Sequence, residues 1–440
     1  MIIVLLMLLV LIFKHKISIN EFSFKIYHIL ALIYLLVLII STLLSPYKEY
    51  NLLIGSPRME GLIVNIIYIL SFLFISLTYK FNKKILDIFI ITSIIIGIII
   101  IIQYIGFNPL YLYKMGGSNI FYGTIGNIDI IGLLYIMYVI FMLFRYIFSD
   151  INKLLYLVSF FISMLVIIII NVDAAYFTFF IALLFLLPIV LLNSKYLKKY
   201  LDIIIIISIA SIFIINVYII ILLFIFIIIR LLINNLEYNV INKKNIIIGY
   251  MCLLLLLIMG LIILYFYKFN ITILSDVYSI LHFKLVDSLG SYRMFLWKRT
   301  INMFNNNILF GTGCDTFYIR FMNLYIDDLK SIGRVDINDS ACNIYLTMLI
   351  NRGLVGLLLF ISFIYSVLIK IKNNFNFIIL VILMTIISCL IYGFFSFNVV
   401  IVTTIFFTLL SIYTICVKKF NFIIMCAIMT LERIGSEYEK

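Results

Sequence analysis

Charged side chains are scarce in this chain. They fill 12% of its 440 positions, against 66% for hydrophobic ones, and the mean hydropathy is +1.27. That shortage excludes an ordinary soluble domain. Period-2 alternation is also missing, since runs such as IILVILMTIISCLIYGFF at 378–395 are continuously apolar. The strands of a membrane barrel are thereby excluded, and helices remain as the way to cross a bilayer. No GxGxxG or Walker-type phosphate loop occurs, which argues against an ATP-driven pump. Sustained heptads are absent too. The opening MIIVLLMLLVLIF lacks a basic n-region and a small-residue cleavage site, so it reads as a short first span and not as a cleavable leader.

What the chain has instead is a series of apolar runs separated by short basic loops. The expected fold is an all-α polytopic membrane protein with about 12–14 transmembrane helices and one large external loop containing short helices. The net charge of +13 comes from lysines gathered in the loops, the positive-inside pattern, and calls for no nucleic-acid partner. Lys14, Lys16 and Lys25, then Lys80, Lys83 and Lys84, then Arg145 and Lys153, then Lys195, Lys198 and Lys199 mark cytoplasmic loops. One span across 203–232 would break the alternation. Two short spans with a turn near Asn216 and Val217 restore it, each of roughly 14 residues against the usual ~17–25. The chain then divides into N-terminal transmembrane helices at 1–267, a large external loop at 268–352, and C-terminal transmembrane helices with a short cytoplasmic tail at 353–440.

On that topology four polar patches fall outside. They are SPYKEYNLLIGSPRMEGL (45–62), GFNPLYLYKMGGSNIFYGTIGNIDIIG (106–132), NVDAAY (171–176), and a long segment holding GSYRMFLWKRT (290–300), LFGTGCDTF (309–317) and NDSACNIYL (338–346). Each admits two readings. Trp297, the chain's only tryptophan, stands beside Arg293, Lys298 and Arg299; these residues suit a diphosphate and a sugar or lipid face, or an amphipathic helix lying at the membrane interface. The glycines of GTGCDTF let backbone approach a phosphate or sugar, or simply make a turn. Asp173 is a base or a helix N-cap. The polar run 338–343 looks like a helix start capped by Asn338, Asp339 or Ser340. Arg352, near the start of a span, reads best as a snorkelling arginine, and His15 and His28 read as interfacial.

Taken in order, GSPRMEGL (55–62), TIGNIDIIG (124–132), VDAAYF (172–177), GSYRMFLWKRT, ILFGTGCDTF and DSACNIYLTMLINRGLVGL (339–357) resemble the O-antigen ligase and O-antigen polymerase family of bacterial membrane glycosyltransferases. Members typically read like G-x-x-R-x-E-G, I-G-N-x-N-x-x-G, a short Asp-bearing turn, R-x-x-x-W, P-x-x-G-x-G-P-D-T-F and D-K-A-H-N-x-Y-L-Q with a later G-L-x-G-L. The resemblance implies a metal-independent, cofactor-free transferase in the cytoplasmic (inner) membrane, with its active site facing outside. Its donor would be a glycan on undecaprenyl diphosphate and its acceptor a glycan, lipid or protein hydroxyl. Arg58 and Arg293 match the motif arginines and would bind the diphosphate. Cys342, Asn343 and Asp339 occupy the catalytic block. Glu60, Asp173, Asn127, Trp297, Gly311, Gly313 and Asp315 would support the site.

The family pattern has histidine where this chain has Cys342, and proline where it has Cys314. Three readings follow. Cys342 acts as the base, base catalysis is dispensable, or the chain is a degenerate member that binds lipid-linked glycan without transferring it. A lipid-linked oligosaccharide flippase is a further alternative, although no internal repeat supports it. Cys314 and Cys342 would also suit a disulfide outside the cytoplasm. Cys252, Cys389, Cys416 and Cys426 lack metal-ligand spacing and read as apolar fillers. His282 is the only histidine on the external side and matches no motif.

Overall fold

The computed structural model describes residues 24–50, 52–79, 81–108, 110–112, 123–149, 153–212, 219–269, 272–304, 307–331, 339–369 and 377–417. The expected first span, His15, Asn338, Cys426 and the turn at Asn216 and Val217 lie outside these residues. Fifteen α-helices and no named strand occur among the described residues. Among the described residues, eight helices are long and apolar enough to cross a membrane, and three shorter apolar ones accompany them. The chain is a multi-pass, all-α membrane protein. Its described residues fall into two compact units, one within Met1–Phe81, Val286–Ile371 and Gly393–Phe420, the other within Asn82–Leu285, Lys372–Tyr392 and Asn421–Lys440.

The first unit contains α1 (Ile26–Leu43), α2 (Leu62–Thr78), α11 (Arg293–Met303), α12 (Phe317–Ser331), α13 (Ile344–Leu368) and α15 (Val400–Cys416). Helix α1 packs along α13, and α2 along α15. Aromatic rings fill the seams: Phe72 meets Phe363 edge-on at 4.9 Å, and Tyr68 stacks on Phe407 at 5.5 Å. His28, in the first turn of α1, is buried against these rings, with Nε2 3.1 Å from Ser76 Oγ. Helices α11 and α12 share a small apolar core of Phe295, Leu296, Met303, Phe317, Phe321 and Leu329, joined by Ala341 and Ile350.

The second unit contains α3 (Asp87–Tyr104), α4 (Ile128–Phe148), α5 (Lys153–Ile170), α6 (Asp173–Val190), α7 (Ser194–Ile212), α8 (Ile219–Leu232), α9 (Lys243–Phe266), α10 (Thr272–Leu281) and α14 (Phe377–Tyr392). Helix α4 is apolar on every side, and such a helix belongs inside a bundle; it is 94% buried, against 6% for α9. Gly132 brings α4 against the Tyr392 hydroxyl, which donates to Asp129 O at 2.9 Å. The 203–232 stretch holds parts of two helices, α7 and α8, packed on each other; α7 starts at Ser194, so Lys195, Lys198 and Lys199 are helical and not in the expected loop.

Candidate functional site

The site is built in the first unit from three separated stretches. The stretch before α2 doubles back on itself, with Gly61 N donating to Ile54 O at 2.9 Å, Leu62 N to Leu52 O at 3.0 Å and Ile63 N to Leu53 O at 3.0 Å. Residues 55–60 form the tip of this return. Gly55 is required there, because at φ +89° a Cβ would sit 2.5 Å from Asp315 Oδ2. Arg58, on the tip, lays its guanidinium 3.3 Å from the centroid of the Phe397 ring and forms an ion pair with Asp339. The first and last sequence motifs thus meet through one charge pair, which remains partly exposed.

Behind that pair is a buried polar network. Glu60 is 6% exposed. Its Oε1 accepts from Tyr68 Oη at 2.9 Å, while Oε2 is buried with no hydrogen-bond partner among the described residues. Burial pushes the Glu60 carboxyl up to about 7, offset in part by the Tyr68 bond and the Arg352 charge. Asp315, in the GTGCDTF loop, accepts from Glu60 N at 3.4 Å and is likewise raised by burial, with the backbone N–H groups of Glu60 and Arg58 opposing. Asn65, on the first turn of α2, donates to Glu60 O at 2.8 Å and to Gly61 O at 2.9 Å.

Arg352 completes the network. It is 7% exposed, and donates to Tyr34 Oη on α1 and to Asn65 Oδ1 at 2.8 Å on α2. The snorkelling reading is therefore overturned: this guanidinium points inward and ties three helices together. A charge inside an apolar stretch is costly unless it is partnered, and here the partners are explicit. That cost was the sequence signal for Arg352. Tyr34, Asn65, Tyr68 and Phe397 carried none, being ordinary residues in or beside apolar runs.

The glycines of the GTG loop let its backbone approach α13 closely. Helix α13 is broken at Gly353, whose φ of 69° and ψ of −177° is a conformation essentially reserved for glycine. The loop docks on the break: Thr312 N donates to Ile350 O at 3.1 Å, Gly313 N to Asn351 O at 2.9 Å, and Leu354 N to Ile308 O at 2.9 Å. A Cβ on Gly311 would lie 2.5 Å from Gly353 N, and one on Gly353 would lie 2.2 Å from Leu309 O. Ser41 adds a bond to Asn351 O at 2.9 Å, so α1 also caps an opened carbonyl.

The block around Cys342 is held from two sides. Asn343 is the N-cap of α13, its side chain accepting from Tyr345 N and Leu346 N, so the cap lies downstream of the residues expected to provide it. Trp297 Nε1 donates to Ala341 O at 3.1 Å. Trp297 therefore belongs to a helix packed into a protein core, not one lying on an interface. Arg293 is the first residue of α11, following three left-handed residues, Gly290, Ser291 and Tyr292. Cys342 has a φ of 47° and packs at the edge of the core between α11 and α12. The expected disulfide is not formed, and both Cys314 and Cys342 are thiols. Cys314 is instead buried beside Thr42, with Oγ1 to Sγ at 3.6 Å, and burial pushes its thiol up.

Asn127 and Asp173 belong to the second unit. Asn127 caps α4, accepting from Asp129 N at 3.0 Å and Ile130 N at 3.2 Å. Asp173 is the first residue of α6. The cap position is Val172, so the side-chain capping expected of Asp173 does not occur; its charge nonetheless suits a helix N-terminus. His282, in the same unit, is stacked between Tyr265 at 4.6 Å and Tyr278 at 4.1 Å.

Residues 203–361 match the sequence model of a family described as O-antigen ligase. No match was found among curated proteins. The matched region includes Arg293, Gly311, Gly313, Asp315, Asp339, Cys342, Asn343 and Arg352, so much of the polar cluster falls within it. Together with the spanning helices, the match supports a multi-pass membrane protein with a glycosyltransferase-like function in polysaccharide assembly.

Proposed function

From the match of residues 203–361 to the family described as O-antigen ligase, we propose that this chain transfers or polymerises glycan from undecaprenyl diphosphate on the outer face of the cytoplasmic membrane. The observation that carries the reading is the meeting of Arg58 with Asp339 above the buried Glu60, Asp315 and Arg352. In the reaction an acceptor hydroxyl attacks the anomeric carbon. The new glycosidic bond forms as the bond to the diphosphate oxygen breaks, and the charge develops on the departing diphosphate. Arg58 and Arg293 would stabilise that charge, with Arg58 exchanging Asp339 for the more highly charged lipid headgroup. The acceptor's proton goes to the thiolate form of Cys342, the residue before the N-cap of α13. Asn343 and Trp297 hold that residue's loop, and Glu60 and Asp315 fix the turn that carries Arg58.

Transfer from a defined undecaprenyl-diphosphate oligosaccharide tests the reading. Wild type should transfer, and Arg58→Ala should lose about 10²–10³ of the rate, the usual worth of one charge-stabilising donor. Cys342→Ala should lose at least about 10², the lower end for a positioned base. If Cys342→Ala matches wild type, the thiol is not the base. The residue at the histidine position also favours a second reading, a member that binds lipid-linked glycan without transferring it. Activity gained only in Cys342→His would establish that one.

A further inference from the structure

The segment Gly393-Phe394-Phe395-Ser396-Phe397 takes no part in the chemistry above, yet it touches the candidate site at three points. Phe397 lies under the Arg58 guanidinium. Phe395 faces Trp297 with ring centroids 6.5 Å apart, and Trp297 holds Ala341 next to Cys342. Phe394 tilts against Tyr345 at 4.6 Å and 45°, three residues after Cys342. The strap is fixed against the first turn of α13: a Cβ on Gly393 would stand 3.2 Å from Ile344 Cδ1 and 3.7 Å from the Tyr345 ring and hydroxyl.

The three rings are used differently. Phe397 is 4% exposed and Phe395 is half-buried, whereas Phe394 leaves 51% of its surface open. An open aromatic face beside a tyrosine is an amphipathic platform, with apolar faces and a hydroxyl at one edge. A sugar ring has the complementary form, an apolar C–H face rimmed with hydroxyls. A lipid tail would meet no such match at the capped end of α13, where Asp339 and Asn343 precede Tyr345. We propose that Phe394 and Tyr345 form a glycan-stacking subsite, which takes the apolar face of a sugar ring in the lipid-linked donor. This inference rests on the transferase reading and adds a residue pair that reads the glycan and not the diphosphate.

Trp297 is the chain's only tryptophan and stands one ring from the strap, so its fluorescence reports binding in the intact protein. The probes are bare undecaprenyl diphosphate and the same lipid carrying a short oligosaccharide, titrated in detergent micelles. Wild type should bind the glycosylated lipid more tightly. Phe394→Leu should weaken that binding about tenfold, roughly 1.4 kcal/mol, and leave the bare lipid unchanged, while Phe394→Tyr should bind like wild type. Tyr345→Leu should show the same selective loss, and unfolding curves matching wild type confirm that each variant is folded. Equal weakening toward both lipids would mean an apolar contact with the chain of the lipid, and would overturn the subsite. So would a Phe394→Leu constant within about twofold of wild type, a Phe394→Tyr variant as weak as the leucine one, or a wild type that does not distinguish the two lipids. In these cases wild type still binds the lipid diphosphate and the transferase reading stands. A wild type that binds neither probe removes both.

Discussion

The two compact units hold their helices together by different means. In the second, α4 is enclosed by apolar side chains, and polar groups inside the bundle make short bonds within a helix or between two helices. Ser93 Oγ meets Ser159 Oγ at 2.7 Å, Thr178 bonds Ala174 O at 2.8 Å, and Ser388 bonds Thr385 O at 2.7 Å. It also has charged contacts on α7 and α8, where the buried Lys199 donates to Ile147 O and Ser149 O, and Arg230 pairs with Asp202. The first unit instead buries Arg352, Glu60, Asp315 and Asn351 and opens α13 at Gly353. Burying polar groups costs stability even when they are paired. The first unit concentrates this cost in one connected network, whereas the second buries Lys199 on backbone carbonyls; a connected network is where geometry has to be specified for chemistry.

The largest effect expected from this contrast is at Arg352. Arg352→Ala leaves Tyr34 and Asn65 without their donor and Glu60 without the stronger of its two neighbouring cations, and should destabilise the fold by about 3–5 kcal/mol, the cost of removing one member of a buried ionic network. Denaturant unfolding in mild detergent measures it. A loss below about 1 kcal/mol would put Arg352 with the exposed pairs and erase the distinction between the units. Next is Gly353→Ala. The dihedral alone should cost about 1–3 kcal/mol, and the overlap with Leu309 O adds to it. In the second unit, Gly260→Ala has open space around its Cβ and should stabilise α9 by about 0.5–1 kcal/mol, as an ordinary helical glycine does. If both substitutions behaved alike, the break in α13 would not be a specified feature.

Glu60 gives the contrast a pH dependence. Its carboxyl is raised from the usual 4.5 to about 7 by burial, so the neutral form is the one the fold accepts. The stability tied to that form is fully present below about 4.5 and is lost as pH rises to about 7. Within this window the slope should approach about 1 kcal/mol per pH unit. Glu60→Gln should remove most of it, and Asp315, raised in the same direction, supplies what is left. Unfolding free energies for both proteins at pH 5 and pH 8 decide the matter. A variant that keeps the full wild-type slope would show that Glu60 is not the titrating group.

The helices were legible because length and apolar content are local properties, although α7 reaches back to Ser194 through the lysines read as a loop. The site was legible only as a set of residue types. Arg58 and Asp339 are 281 positions apart, and nothing in either motif says that they pair. The cap of α13 was readable in kind, since Asn343 precedes an apolar run, but Asn338, Asp339 and Ser340 have the same capping chemistry and compete for the place. Gly353 was opaque, because GLVGL looks like any packed helix until the backbone of residues 308–313 is seen lying against it. Cys314 was misread for a related reason. Its neighbour is Thr42, on a helix 272 positions away, and sequence alone offered only the other external cysteine as its partner.

The smallest effect expected is at Arg230, and it bounds the comparison from the other side. Arg230 Nε lies 2.8 Å from Asp202 Oδ1, a geometry as good as any in the first unit, but the two side chains keep 25% and 28% of their surface open. Solvent screens such a pair, and Asp202 retains the Tyr146 hydroxyl at 2.8 Å when the arginine is gone. Arg230→Ala should therefore cost no more than about 1 kcal/mol, and the loss should shrink as salt is raised. The pairing with Arg352→Ala is informative because both variants delete one guanidinium from a bonded network in the same protein. If Arg230→Ala proved as damaging as Arg352→Ala and insensitive to salt, hydrogen-bond geometry and not burial would be setting the cost. The second unit would then hold a specified polar centre of its own around Asp202, Tyr146 and Lys199.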